Sequence, residues 1–357
     1  MTIMNSRIRE LRPLISPIIL IEDLPCPLST QDFIVKTRDQ AEAIMNGTDP
    51  RLLVIVGPCS IHDPVAALEY ATNLARIAHQ LKDELLIIMR VYFEKPRTSI
   101  GWKGLINDPK LDNSFDINTG LRLARKLLID INNLGLATAT EFVDTITPTY
   151  LSDLISWGAI GARTTESQMH RELASGLAMP IGFKNGTSGN VQIAIDAVTV
   201  ARHQHHFLGI TRQGSPAIIE TQGNPACHII LRGADHYTNF DAASINAITA
   251  QLQHNELQPY LMVDCSHGNS RKNHLAQQDV LQDLCLQIRS GNSHIKGFML
   301  ESHLKADRQN LISDNPLIYG QSITDACLSW QDTVPLLEQL AQLKKFCYTA
   351  PTHSLNE

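Results

Sequence analysis

The sequence predicts an α/β fold, a (β/α)8 barrel extended at its N-terminus and carrying one inserted β-hairpin. Three observations carry this prediction. Short apolar runs rich in β-formers occur eight times; helix-length amphipathic segments separate them; and the alternation spans about 250 residues, the size of a TIM barrel.

Residues 1–45 precede the pattern. They mix Pro13, Pro17, Pro25 and Pro27 with bare apolar stretches, so this arm cannot close a core of its own. It is expected to pack elsewhere, on a neighbouring subunit, and to share in regulation. The catalytic barrel is then expected over 46–350. Its strands are placed at 52–56, 85–92, 136–140, 159–163, 180–184, 228–232, 260–265 and 295–301. Each is short and apolar, as a strand buried between two layers should be. The helices alternate with them at 64–80, 119–134, 147–157, 166–175, 190–204, 241–253 and 272–289, where apolar residues recur at helical spacing. Between the fifth and sixth strands, 207–210 and 217–221 flank Arg212-Gln213-Gly214 and read as a hairpin inserted over 205–222. No internal repeat or low-complexity segment interrupts this order.

Composition narrows the function. Of 357 residues, 43% are hydrophobic and 18% charged, against about a quarter charged in an average domain, which excludes a disordered chain. Thirty Lys plus Arg against 36 Asp plus Glu give a formal charge of −6, so no global positive field invites nucleic acid or an anionic membrane. Seven cysteines without a CxxC pair argue against a disulfide scaffold and a zinc ribbon, and point to a reducing cytoplasm. The apolar run 14–20 is broken by Pro17 and followed by Glu22 and Asp23; it is neither a signal peptide nor a membrane span.

The chemistry gathers at the strand ends. Strand one leads into Gly57-Pro58-Cys59-Ser60; strand two delivers Arg90 and then Lys95-Pro96-Arg97-Thr98; strand three ends at Glu141. Arg163, Lys184 and Arg232 follow, then Asp264 and His267, then Glu301. In a barrel these ends converge on one rim, where the active site lies. A single arginine at a strand end is more often a solvated residue or an ion-pair partner. Six cations at the ends of four strands, with few carboxylates in the same turns, read instead as an anion site. Phosphate and carboxylate suit it, because arginine offers a bidentate fork and lysine a point charge. One cation about 4 Å from one anionic charge gains about 4 kcal/mol at an effective dielectric near 20, so six could hold two phosphorylated ligands. Nucleotide chemistry is disfavoured: in Lys184-Asn185-Gly186-Thr187-Ser188-Gly189 the lysine precedes the glycines, and no GxGxxG follows a strand.

A second constellation is Cys59, His267, Glu301 and Asp325. Singly, Cys59 reads as a small buried residue and Glu301 as an ordinary rim group. Together they offer a thiolate, an imidazole and two carboxylates, a set suited to a divalent Mn, Fe, Co or Zn ion with a position open to a substrate oxygen. His203, His205 and His206 read as a solvated face, and Glu141 as either an arginine's partner or a general base.

The motifs GPCSIHD at 57–63, KPRT at 95–98, GARTTES at 161–167 and GFKNGT at 182–187 resemble those of the microbial class I 3-deoxy-D-arabino-heptulosonate 7-phosphate (DAHP) synthases, over about residues 8–345. The resemblance implies condensation of phosphoenolpyruvate with erythrose 4-phosphate and water, with loss of phosphate, as the first step of the shikimate pathway. It implies that Arg90, Lys95, Arg163, Lys184 and Arg232 grip phosphoenolpyruvate, with Ala162 beside it, and that Arg97 and Thr98 hold erythrose 4-phosphate. Cys59, His267, Glu301 and Asp325 match the metal ligands, within GPCS, DCSHGNS, MLES and SITDACLSW. Lys95, Glu141 and His267 take the catalytic roles: Lys95 and the metal polarise the aldehyde, and Glu141 or the metal activates water.

The resemblance also implies inhibition by an aromatic amino acid. Gly209 in Phe207-Leu208-Gly209-Ile210 stands where the phenylalanine-sensitive type has serine, and 262–267 resembles the tyrosine-sensitive type. Glycine leaves room for a phenolic hydroxyl, so tyrosine is the expected effector, with Pro148, Leu173, Leu177, Phe207, Gly209 and Ile219 as its lining. Ala178, Ser188 and Ala234 depart from the family pattern without touching the catalytic groups. A homo-oligomer, dimer or tetramer, is implied as well. The rival readings are a synthase using arabinose 5-phosphate, a Schiff-base aldolase on Lys95 or Lys184, and a catalytically dead sensor of aromatic amino acids. KPRT with its GWKGL continuation favours the erythrose enzyme.

Overall fold

The computed structural model describes residues 7–97, 101–311 and 316–349, with side chains of the last helix as far as residue 344. The chain starts with two helices, α1 (Pro17–Asp23) and α2 (Leu28–Met45), and enters β1 at Leu52–Gly57. Then follow α3 (Pro64–Gln80), β2 (Leu85–Arg90), α4 (Ile117–Asn133), β3 (Ala137–Glu141), α5 (Pro148–Leu151), β4 (Trp157–Ile160), α6 (Gln168–Gly176), β5 (Ile181–Lys184) and α7 (Gln192–Ala201). The hairpin β6 (His206–Ile210) and β7 (Pro216–Glu220) intervenes before β8 (His228–Leu231), α8 (Ala242–His254), β9 (Leu261–Asp264), α9 (Ala276–Arg289), β10 (Ile295–Glu301) and α10 (Trp330–Thr349). Eight parallel strands close in the order β1-β10-β9-β8-β5-β4-β3-β2, and β6-β7 form a separate antiparallel pair.

Local chemistry sets the element starts. Asp63 accepts hydrogen bonds from the amides of Val65 and Ala66 ahead of Pro64, and Asp241 accepts from Ser244, so α3 and α8 begin at capped ends. Side chains alternate across each strand. Leu52, Val54 and Val56 of β1 join the layer between sheet and helices, whereas Leu53 and Ile55 point into the barrel with Ile88, Ala137, Ala139, Trp157, Ile230, Met262 and Met299. That interior is filled, not hollow. Trp157 donates through Nε1 to Nε2 of buried His228 at 3.3 Å, which gives its indole N–H a partner inside an apolar stack.

Three expectations are corrected. Segment 147–157 is not one helix: α5 has a single turn, continues as a 3₁₀ turn over Ser152–Leu154, and gives way to strand at Trp157. The fourth strand therefore lies two residues earlier than expected, since Trp157 pairs with Ala139, and the chain turns at Gly161, whose carbonyl accepts from the amides of Thr164 and Thr165. Arg163 thus stands on the loop beyond the strand. The third concerns the arm. Leu20 and Ile34 are buried in this chain's own main core, and Ala41, Ile44 and Met45 of α2 pack on the barrel interior and close its lower end. The arm expectation missed this because α2 carries its apolar residues into the barrel mouth, where no sheet strand advertises a partner. Among the described residues, no helix is long and apolar enough to cross a membrane.

Candidate active site

The two-residue period of the strands decides which side chains reach the top of the barrel. Counting on from the inward core residues, the last inward position of β2 is Arg90, of β3 Glu141, of β5 Lys184, of β9 Asp264 and of β10 Glu301; Arg232 follows β8 in the same phase. Gly161 takes this place after β4. A methyl group there would collide with Glu141 Oε1, so the glycine is what lets the carboxylate lie across the rim. Above this layer opens a cavity of about 400 Å3. Lys95, Arg97, Ala162, Arg163, Lys184 and Arg232 line it together with Glu141, His267 and Asp325. Arg90 ends β2 as expected and lies at the base of this layer. It is fully buried and outside the cavity lining, donating to the carbonyls of Pro58 and Cys59 and to Glu301 Oε1 at 3.0 Å, with its guanidinium 3.5 Å from the Tyr92 ring centre. It braces the rim from below. Thr98 lies outside the described residues.

Cys59, Glu301 and Asp325 bring one ligand atom each to within 4.8 Å of the others. Asp325 arrives from the long segment after β10, which pairs back on itself at Ser302 with Leu328 and at Asp307 with Cys327. His267 completes the group: its Nε2 lies 3.7 Å from Glu301 Oε1. The residue has φ +56°, a left-handed backbone that a non-glycine rarely adopts, held by the turn through Gly268 and Asn269 onto the Arg232 carbonyl. Burial, with Glu301 adding to it, pushes the Cys59 thiol up to about 11, opposed by Lys95. Burial works against ionising Asp325 too, but Lys95 and His267 outweigh it and hold that carboxyl below its usual range. A thiol and two carboxylates gathered together, with an imidazole beside one of them, fit a borderline divalent cation, and a bound cation would displace the thiol proton.

Behind the cluster lies Asp264, fully buried. Its Oδ2 accepts from Lys184 Nζ at 2.8 Å and meets His267 Nδ1 at 2.9 Å; its Oδ1 accepts from the Ser266 amide and hydroxyl. Burial alone would raise this carboxyl, yet Lys184 and His267 hold it well below the ordinary value. Glu94, next to Lys95, is buried and accepts from Thr147 Oγ1 at 2.9 Å; burial lifts it to about 7, with Asp144 and Glu141 adding to the rise. Sequence reasoning noted Asp264 only as a strand end and missed Glu94, Lys272 and Asp235, the last two of which line the cavity. For Asp264 a signal existed: a carboxylate three residues before a candidate ligand histidine is a common orienting partner.

A second cavity, of about 660 Å3, lies between the hairpin and the segment 145–177. Pro148, Leu173, Leu177, Phe207, Gly209 and Ile219 all line it, and Thr145, Thr149, Ser152 and Glu172 add polar groups. Gly209 does not open the space expected of it. A methyl group at 209 would run into Ile219 Cδ1, so isoleucine already fills the space the glycine leaves. Leu208 and Ile218, paired in register on the outer face, are 88% and 78% exposed.

Comparison with known proteins agrees with this geometry. The family model described as DAHP synthetase I matches residues 31–338. The Phe-sensitive phospho-2-dehydro-3-deoxyheptonate aldolase of Escherichia coli (strain K12) is 55% identical over 339 residues, 95% of this chain and 97% of its own. The Trp-sensitive enzyme of Salmonella typhi is 51% identical over 335 residues, 94% of this chain and 96% of its own. A solved structure of phospho-2-dehydro-3-deoxyheptonate aldolase from Francisella tularensis SCHU S4 superposes with a TM-score of 0.92 at 52% identity, covering 95% of this chain and 98% of that one. With its cation-lined barrel mouth beside a Cys, His, Glu and Asp cluster, and relatives matching nearly end to end, the chain belongs to the DAHP synthetase I family.

Proposed function

We propose that the protein condenses phosphoenolpyruvate with erythrose 4-phosphate and water to give 3-deoxy-D-arabino-heptulosonate 7-phosphate and inorganic phosphate. The observation that carries this reading is that the cation-lined cavity and the ligand cluster share Asp325, with His267 lining the cavity 3.7 Å from Glu301 of the cluster. Arg90, Lys95, Arg163, Lys184 and Arg232 would hold the phosphate and carboxylate of phosphoenolpyruvate, and Arg97 with Thr98 the phosphate of the sugar. Cys59, His267, Glu301 and Asp325 would hold a divalent Mn, Fe, Co or Zn ion, whose Lewis acidity would polarise the aldehyde oxygen. Lys95, which already donates to the Cys59 carbonyl, can offer a further proton to that oxygen as charge builds on it. C3 of the enol phosphate then bonds to C1 of the aldehyde. Glu141, facing the cavity, takes a proton from the water that adds at C2, and the C2–O bond to phosphate breaks. Release of phosphate from phosphoenolpyruvate, measured with erythrose 4-phosphate and with arabinose 5-phosphate, each with and without chelator, tests substrate and metal together. Turnover with arabinose 5-phosphate alone would overturn the assignment.

We also infer an aromatic amino acid effector in the 660 Å3 cavity, with tyrosine the expected one. Phe207 and Leu173 offer an aromatic and an aliphatic wall, and Thr145, Thr149, Ser152 and Glu172 offer partners for a phenolic hydroxyl. Inhibition assays with the three aromatic amino acids decide it, and selective phenylalanine sensitivity would refute tyrosine. Exposed Leu208 and Ile218, with Leu11 and Leu14 of the arm, support a homo-oligomer, dimer or tetramer, to be read by light scattering. The six described cysteines are all free, in keeping with a cytoplasmic setting.

A further inference from the structure

One carboxylate oxygen serves two different binding functions. Asp264 Oδ2 accepts from Lys184, a cation of the anion cavity, and lies 2.9 Å from Nδ1 of His267, a member of the ligand cluster. The other oxygen is occupied by the Ser266 amide at 3.0 Å and the Ser266 hydroxyl at 2.6 Å. The side chain is completely buried, so no water competes for it, and its last free direction is spent on these two donors. The Lys184 side chain is 3% exposed and donates to no other group among the described residues, and the His267 ring, with Nε2 facing Glu301, is pinned at Nδ1 between Asp264 Oδ2 and Ser266 Oγ, the latter at 2.7 Å.

We propose that Asp264 is a positioning residue that couples the two halves of the site, so that phosphoenolpyruvate and the divalent cation bind with mutual help. The inference rests on the function proposed above. A proton held on Nδ1 by Asp264 leaves Nε2 as the free lone pair, aimed at the cluster. When a substrate anion draws Lys184 towards the cavity, the shared oxygen is left to His267 alone and strengthens the ring as an electron donor. A cation drawing on Nε2 would polarise the ring and tighten the contact of Nδ1–H with Asp264, which would free Lys184 for the anion. By linkage the two effects are equal in size.

The test measures cation affinity by competition with a chromogenic chelator, with and without phosphoenolpyruvate, in the intact chain and in Asp264→Asn, Ser266→Ala and Cys59→Ala. Phosphoenolpyruvate is expected to tighten cation binding at least fivefold in the intact protein. Asp264→Asn is expected to weaken cation binding about ten- to a hundredfold and to bring the effect of phosphoenolpyruvate close to none. Nitrogen-15 spectra of the cation-free protein should show His267 protonated at Nδ1 in the intact chain and a mixture of tautomers in Asp264→Asn, a change that a merely structural defect would not produce. Cys59→Ala should lose the cation yet keep that tautomer. Should Asp264→Asn not fold, Ser266→Ala carries the test, with a smaller loss of coupling in the same direction. Coupling and tautomer unchanged in Asp264→Asn, or unchanged in Ser266→Ala where that variant stands in, would overturn the proposal. Failure of the intact protein to bind phosphoenolpyruvate or cation at all would instead sink the function on which it rests.

Discussion

Lys95 Nζ lies 3.1 Å from the Cys59 sulfur and 3.1 Å from the same residue's carbonyl oxygen. The lysine that opens the KPRT motif is thereby fastened to a group of the ligand cluster. Burial works against its charge, but Cys59, Glu301 and Asp325 together outweigh burial and hold the ammonium above its ordinary value.

Replacing Cys59 with alanine should separate chemistry from folding. The residue is buried but small, so a stability loss of about 1–2 kcal/mol is expected. Cation-dependent phosphate release should vanish. A thermal melt and a chelator-competition titration on the same sample check both halves, and a variant active without added metal would contradict the cluster's role.

Gly161→Ala should act at a distance of one side chain. The new methyl group collides with Glu141 Oε1 and must turn the carboxylate away from the rim. If Glu141 activates water, kcat should fall about a hundredfold or more while KM for phosphoenolpyruvate changes little. Glu141→Gln should give a loss of similar size.

Glu94 makes stability depend on pH. Its carboxyl is lifted to about 7 when folded against an ordinary 4.5, so between those pH values the unfolded chain has already released the proton that the folded chain keeps. Stability attributable to this group therefore falls as pH rises from about 4.5 to 7 and then levels off, with a total on the order of 3 kcal/mol. Glu94→Gln retains an acceptor for Thr147 and should remove that part of the slope. Urea midpoints at pH 5 and pH 8 measure it: the variant should gain on the parent at the higher pH and show no gain at the lower.

Phe207→Ala should unhook inhibition from catalysis. Removing the aromatic wall of the 660 Å3 cavity should weaken the effector about tenfold or more, because an aromatic contact is lost with its buried area. The kcat and KM without effector should stay within twofold, as measured by steady-state assay.

How far the sequence could be read follows from periodicity. Strands such as 52–56 and 295–301 are legible because a buried parallel strand is short, apolar and bounded. Segment 147–157 misled because Leu151, Leu154 and Ile155 keep helical spacing through a turn too short to be a full helix. The site was legible where a charged side chain interrupts an apolar run, as at Lys184 and Glu301. Arg90 shows the limit of that signal. Its position at a strand end is the same, but whether a guanidinium lies over the rim or under it depends on Tyr92, Glu301 and the Pro58 carbonyl, which come together only in three dimensions. Glu94 carries no pattern at all, since its character comes from burial against Thr147.

Helix α2, packed with Ala41, Ile44 and Met45 against the barrel interior, has a kinetic consequence. Because the side chains above it fill the barrel as well, the rim cavity has no floor exit and a single doorway, and two ligands using it must queue. Whatever settles on Lys184 and Arg232 at the bottom has to enter before, and its product leave after, anything seated on Arg97 at the doorway.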